Sequence, residues 1–286
     1  MTTIWELDFY SRPILDENGK KIWEVLICES PLAIDTQTDL LFRYAQFCAS
    51  TQVNSITLRE AVEAAIAQAP CPPDKILFFR QAMNNMITKA CEDVGISAQL
   101  SRRTYALNQW LQERQKQVYP AHPGFQAGTN PSVTFPSTPP QPLPAALMGE
   151  KWQFVTLEAR DLDEMKEWSI DFGAAFPLSL AGLKPETPIP GLLIFSPRAT
   201  PLAAWMSGLE IASVTFDRAS SRLLLETGVN DRWTLASLPK PDLQAEATQF
   251  EVAKQQANGV HFVAVQVNSQ AEAFAGFWLL QAVTLP

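Results

Sequence analysis

The chain has 286 residues, 47% of them apolar, and carries a formal net charge of −8 with a pI near 4.9. That length supplies one or two domains with real cores, and no apolar run is long enough to span a bilayer. The acidic balance argues against holding nucleic acid mainly by phosphate neutralisation, so any RNA contact must come from a local patch or from base stacking.

The first residues read IWELDFYSRPILDENGKKIWEVLICES. Asn18-Gly19, set between two alternating runs, predicts a β-hairpin with a two-residue turn, because a type I′ turn needs φ > 0 at both central positions. Counting outward places Glu17 opposite Lys20, Phe9 opposite Cys28 and Asp8 opposite Glu29. Like charges directly opposite on a sheet repel. The Asp8–Glu29 pair therefore has three readings. It is a divalent-metal site of the kind a Mg²⁺-dependent nuclease uses, or a basic side chain such as Arg80 or Arg102 lies between the acids, or Pro13 introduces a bulge that shifts the register.

Leu40, Leu41, Tyr44 and Phe47 of LLFRYAQFC fall on one helical face. Thr57-Leu-Arg-Glu60 is a capping box for a helix that ends at Pro70. KILFF from Lys75 predicts a short buried strand. Met83, Met86, Ile87, Ala90 and Val94 line a helix closed by Gly95. ISAQL predicts a strand, and Thr104 to Val118 a helix with Leu107, Trp110 and Leu111 inward. The order predicts a mixed α/β domain over residues 1–119, compatible with a ribonuclease H-like layout.

Residues 120–148 carry Pro120, Pro123, Pro131, Pro136, Pro139, Pro140, Pro142 and Pro144 with almost no charge. Proline removes backbone donors, so this stretch reads as an extended, semi-rigid linker. Residues 149–286 predict a second α/β domain. Its strands are KWQFVTL, GLLIFSP, IASVTFD, RLLLET, RWTLAS and HFVAVQV. Its helices run over Asp161–Trp168, from Thr200, and over Thr248–Ala257. KILFFR-helix-ISAQL and GLLIFSPR-helix-IASVTF share a layout that would mark a duplicated half. The terminal FAGFWLLQ reads better as a strand buried on both faces than as a helix.

Cys28, Cys48, Cys71 and Cys91 have no C-x-x-C spacing and read as reduced thiols, while His122 and His261 lack partners at metal-ligand spacing. No metal or other cofactor is expected. Between Lys75 and Val118 the cations Lys75, Arg80, Lys89, Arg102, Arg103, Arg114 and Lys116 outnumber the acids Glu92, Asp93 and Glu113. SRRTY sets Arg102 and Arg103 beside Tyr105 at a helix N-terminus, a place that suits phosphate. The bland alternative is a solvated helix face over core aromatics. No dinucleotide fingerprint, phosphate-binding loop, nucleophile elbow or Ser-His-Asp set is present.

Together, WELDFYSRP with its hairpin and IWEVLICE, ETGVNDRWTLASLP, FEVAKQQANGVHFVAVQ and FAGFWLLQ resemble the Tab-two (ATab-two) family over nearly the whole chain. The resemblance implies a non-catalytic protein that binds A/U-rich RNA and promotes translation of the mRNA for a photosystem I reaction-centre subunit. It also implies a functional link for the C-terminal Trp278, Leu279 and Leu280. The expected RNA-contacting set is Arg80, Arg102, Arg103, Arg114, Lys116, Tyr105 and that tripeptide, with photosystem assembly or translation proteins as further partners. With no leader before the first strand, a cyanobacterial, cytoplasmic (stroma-equivalent) protein without membrane insertion is expected. The rival readings are the Asp8/Glu29 nuclease and a protein-interaction scaffold for photosystem assembly.

Overall fold

The computed structural model describes residues 2–128, 133 and 138–284. It divides into two units, one holding most of the chain up to the Pro-rich segment and the other most of the chain after it.

The first unit contains β1 (Ile4–Leu15), β2 (Lys21–Glu29), β3 (Arg43–Cys48), α1 (Ser55–Gln68), β4 (Lys75–Phe78), α2 (Asn84–Asp93), β5 (Ser97–Leu100) and α3 (Tyr105–Gln117). The sheet order is β3-β2-β1-β4-β5. β2 runs antiparallel to its neighbours, β4 is parallel to β1, and β5 is parallel to β4. Helices follow β3, β4 and β5, which is the ribonuclease H-like layout. Trp5, Leu7 and Phe9 of β1 join Leu58, Val62, Ala65, Ile87 and Cys91 of α1 and α2 in one core. Because side chains alternate across a strand, the intervening Glu6 and Asp8 point to the opposite face, toward α3.

The hairpin forms where Asn18-Gly19 places it, but with a different register. Asp16 closes a wider loop, its N–H donating to the Lys20 carbonyl at 2.8 Å and its Oδ1 accepting from the N–H groups of Asn18 and Lys20. Gly19 takes the positive φ of 74° that the turn requires. A bulge then falls between Ser11 and Leu15, around Pro13. As a result Asp8 pairs with Leu26 and Trp5 with Glu29. The Asp8–Glu29 pair does not form, because proline cannot donate to the ladder and the strand buckles around it.

Residues 40–48 also depart from expectation. Only Thr38–Leu40 is helical, as one 3₁₀ turn, and Arg43–Cys48 is an edge strand along β2. Tyr44, Gln46 and Cys48 fit a period of two, and the free edge of β2 selected that reading over the helical one. Helix α1 starts at Ser55, with Asn54 Oδ1 accepting from Thr57 N–H at 2.9 Å, so Asn54 caps it.

Both described ends of the Pro-rich segment are built into folds. The Gly124 carbonyl accepts from Leu15 N–H, and Phe125 bridges to Ile14 in the first unit. In the second unit the short strand β6 (Gln141–Pro142) pairs with Trp233 and Thr234. Pro131 and Pro136 lie outside the described residues.

The second unit continues with β7 (Lys151–Glu158), β8 (Ile170–Ala174), β9 (Pro188–Phe195), α4 (Ala199–Ser207), β10 (Ile211–Asp217), β11 (Arg222–Thr227), β12 (Asp231–Ser237), α5 (Pro241–Gln256), β13 (Val260–Gln266) and β14 (Phe274–Gln281). Two sheets result, ordered β7-β9-β13-β14-β8 and β10-β11-β12-β6. The segment expected as a helix over 161–168 is a 3₁₀ helix, Ala159–Glu167. The suggested internal duplication does not hold. β4 and β5 are parallel neighbours in one sheet, whereas β9 and β10 belong to different sheets. His261 is fully buried, and its Nε2 accepts from Val214 N–H at 3.0 Å, which leaves Nδ1–H to donate to the Gly259 carbonyl at 2.8 Å. Burial, aided by nearby Lys254, lowers this imidazole to about 3, so it stays neutral and fastens β13 to β10.

Candidate nucleic-acid interface

On the α3 side of the first sheet a buried charge network lies beside the apolar Leu107 and Leu111 of α3. Arg12 is buried between two carboxylates, its Nη2 2.9 Å from Asp8 Oδ2 and its Nε donating to Glu24 Oε2 at 2.9 Å. Arg80 approaches Asp8 from the end of β4, its Nε donating to Oδ1 at 2.5 Å. Arg114 of α3 pairs with Glu24 Oε1, and the Tyr119 hydroxyl donates to Glu24 Oε2 at 2.7 Å. Burial drives Asp8 upward, but Arg80 and Arg12 together outweigh it and hold the carboxyl below its ordinary range. Three guanidiniums against two carboxylates leave one positive charge in excess beneath this surface.

Arg80 and Arg114, expected to meet phosphate, are thus internal partners of acids. Tyr105 is buried as well. Tyr10 and Phe79 cover the Arg80 guanidinium, with ring centroids 3.9 and 4.8 Å from it. The metal reading of Asp8 also loses its geometry, since both of its oxygens face arginines and Glu29 lies elsewhere on the ladder. Among the described residues no cluster of three metal-ligating side chains occurs.

The N-terminus of α3, read from SRRTY as a phosphate seat, is already filled. Thr104 makes no side-chain cap. Glu6, 101 positions earlier, reaches across from β1, and its Oε2 accepts from Leu107 N–H at 2.7 Å. A carboxyl here satisfies a helix donor that an N-cap side chain usually takes. Full burial nevertheless raises Glu6 to about 8, against the opposing pull of the Leu107 and Ala106 N–H groups and Arg103.

A proton is therefore taken up on folding over the interval between the ordinary carboxyl value of 4.5 and about 8. The unfolded chain binds fewer protons there, so stability falls as pH rises through that window, by up to roughly 1.4 kcal/mol per unit. Glu6→Gln keeps an acceptor for Leu107 and removes the titration. Urea midpoints measured from pH 5 to 8 should decline less steeply for the variant than for the parent. Parallel profiles would show that Glu6 is ionised throughout.

Arg102 and Arg103 are half-buried where β5 meets α3, and Lys116 is exposed near the end of α3. The Arg103 N–H donates to Ser101 Oγ at 2.9 Å, and its guanidinium lies 5.4 Å from the Tyr105 ring centroid. Of the expected cations, these three reach solvent most directly. The helical reading turns Phe47 inward. As an edge-strand residue it is 41% exposed on the α3 side instead. Alternation along β3 would have exposed it to sequence reasoning had the strand been recognised.

Trp278, Leu279 and Leu280 lie in the other unit and are buried. Trp278 and Leu280 join the core formed with α4 and the strands beside it. The Trp278 ring covers Gly276 so closely that a Cβ on that glycine would sit 2.3 Å from it. On the opposite face, Phe277 stacks on Phe262 at 5.0 Å between centroids. The tripeptide thus has no face to offer a base.

Family models agree with this two-part architecture. One described as RNA-binding protein Tab2/Atab2 N terminal matches residues 4–114, and one described as RNA-binding protein Tab2/Atab2, C-terminal domain, matches residues 130–281. Two proteins named Protein TAB2 homolog, chloroplastic, from Zea mays and Arabidopsis thaliana, are each 41% identical to the chain. The alignments cover 96% of this chain, 70% of the maize protein and 74% of the Arabidopsis protein.

Proposed function

Because the chain belongs to the Tab2/Atab2 family of RNA-binding proteins, we propose that it recognises A/U-rich single-stranded RNA. We further propose that it promotes translation of a photosystem I reaction-centre mRNA, in company with translation or assembly proteins. The observation that carries the RNA contact is the excess positive charge on the α3 side of the first unit, in a molecule whose net charge is −8. Buried Arg12 and Arg80 and the partly buried Arg114 supply a fixed positive layer, and Arg102, Arg103 and Lys116 extend it to the surface. Single-stranded RNA suits such a site, since its phosphates follow a local cationic track while its bases remain free to stack. No helix among the described residues is long and apolar enough to cross a membrane.

A filter-binding titration with A/U-rich RNA at rising salt tests this reading. Each phosphate contact adds about 0.7 to the slope of log K against log salt for a single strand. Arg102→Ala/Arg103→Ala should weaken binding and flatten that slope by roughly 1 to 1.5. Binding and salt slope identical to those of the parent would remove these arginines from the interface. Equal binding of A/U-rich and G/C-rich strands would remove the preference.

A further inference from the structure

The α3 side carries a continuous alternation of cations and rings. Arg43 and Arg114 each lie 5.4 Å from the Trp110 ring centroid, on strand β3 and helix α3 respectively. Arg114 also lies 5.7 Å from the Phe47 centroid, and His122 meets Phe47 edge-on at 6.2 Å. The row therefore runs Arg43, Trp110, Arg114, Phe47, His122. Its two arginines are tied down, Arg43 by Glu113 at 3.2 Å and Arg114 by Glu24. Trp110 is buried.

Phe47 is different. It is a large apolar ring at the terminal strand of the sheet, 41% exposed, held by neighbours that leave part of its surface to solvent. Burial of such a ring is normally favourable, and an exposed one within a cationic row matches the chemistry of a flat π-face attached to a phosphate. The geometry points to Phe47 as a base-stacking platform for single-stranded RNA, with His122 as its side wall. The inference rests on the RNA-binding reading and adds to it a specific seat for a nucleobase. The single positive charge left over in the network beneath this edge, three guanidiniums against two carboxylates, favours a polynucleotide over an apolar peptide. Stacking on an aromatic ring tolerates any base, so this seat contributes affinity, and sequence preference has to arise elsewhere.

The test uses the full chain with two fluorescent 12-nucleotide probes, one U-rich and one abasic with the same phosphates. Phe47→Ala is expected to weaken binding of the U-rich probe about tenfold, the usual scale for one stacked base. It should leave abasic binding and the salt slope unchanged. Phe47→Tyr keeps a ring and should bind like the parent, and circular dichroism checks that both variants fold. Equal affinity of Phe47→Ala and parent for the U-rich probe overturns the platform, while loss of affinity in Arg102→Ala/Arg103→Ala would still uphold the RNA reading. Equal loss on both probes also overturns it, because the ring would then act through the fold. If Phe47→Ala changes only the sedimentation of the chain, the edge is a protein contact and the inference fails. A parent chain that binds neither probe removes the RNA reading and the platform with it.

Discussion

Trp278→Ala is expected to cost about 3–5 kcal/mol, the range for truncating a fully packed large aromatic. The residue is 3% exposed, roofs Gly276 and contacts the layer formed by α4 and the central strands of the second unit. Removing the indole leaves a void over a glycine, which has no side chain of its own to fill it. A loss of this size is a large fraction of a domain's margin of about 5–15 kcal/mol, so the variant should show a thermal transition for the second unit lowered by many degrees. Trp278→Phe retains most of the volume and should lose much less. Burial gives any dependence of function on Trp278, Leu279 and Leu280 a physical route through folding. If Trp278→Ala melts like the parent and yet loses RNA binding, the tripeptide is a contact surface after all and its placement in the core is wrong.

The second large effect belongs to Arg12. Its guanidinium is the shared partner of Asp8 and Glu24, all three groups being almost wholly out of water. Removing one member of a buried ion pair leaves an uncompensated charge and typically costs about 3–5 kcal/mol. Arg12→Met should therefore destabilise the first unit by that amount in a denaturant titration. Arg12→Lys should recover only part of it, because an ammonium lacks the fork that spans two carboxylates. The pH dependence has a definite sign. Asp8 is held below its ordinary value of 3.8, so its contribution is present above that value and is lost as pH falls through the depressed one. Arg12→Met removes one of the two cations responsible, and acid unfolding should move to higher pH. Where the variant is folded, its RNA affinity should fall only modestly and its salt slope should stay that of the parent, since Arg12 adds to the potential beneath the surface but is too deeply buried to touch a phosphate. A large drop in affinity with unchanged stability would make Arg12 a ligand group instead.

The Arg12 effect reflects how the first unit uses its charge. The α3 face of the first sheet consumes much of the positive charge that the sequence concentrates between residues 75 and 118. Arg80 and Arg114 go to internal acids, the α3 N-terminus goes to Glu6, and exposed Lys89 pairs with Asp93 at 2.5 Å. The charge is not scattered, because the buried arginines remain on the same side of the sheet as the α3 cations. Their role changes from gripping phosphate to holding the scaffold and raising the potential beneath it.

The chain's alternation and its glycine signals were enough to read an α/β architecture, the strand character of FAGFWLLQ and the helix closed by Gly95, and the proline-rich stretch was enough to read two parts. These are local matters, decided within a few residues by side-chain period and by the conformations glycine and asparagine tolerate. The hairpin register lay at the limit of such reading, since Pro13 announced a bulge without saying how far it would shift the pairing. Residues 43–48 lay beyond it, because one run satisfied two periods and only the open edge of β2 chose between them. Beside the nearby Arg12, Asp8 meets Arg80 from 72 positions away, Glu6 the Leu107 N–H from 101 and Glu24 the Arg114 guanidinium from 90. Which face of a strand meets which turn of a distant helix is set when the sheet and helices pack. Ion pairing and solvent exposure depend on that packing, so the exposure of Phe47 became visible only in three dimensions, whereas the burial of Trp278 already followed from reading FAGFWLLQ as a strand buried on both faces.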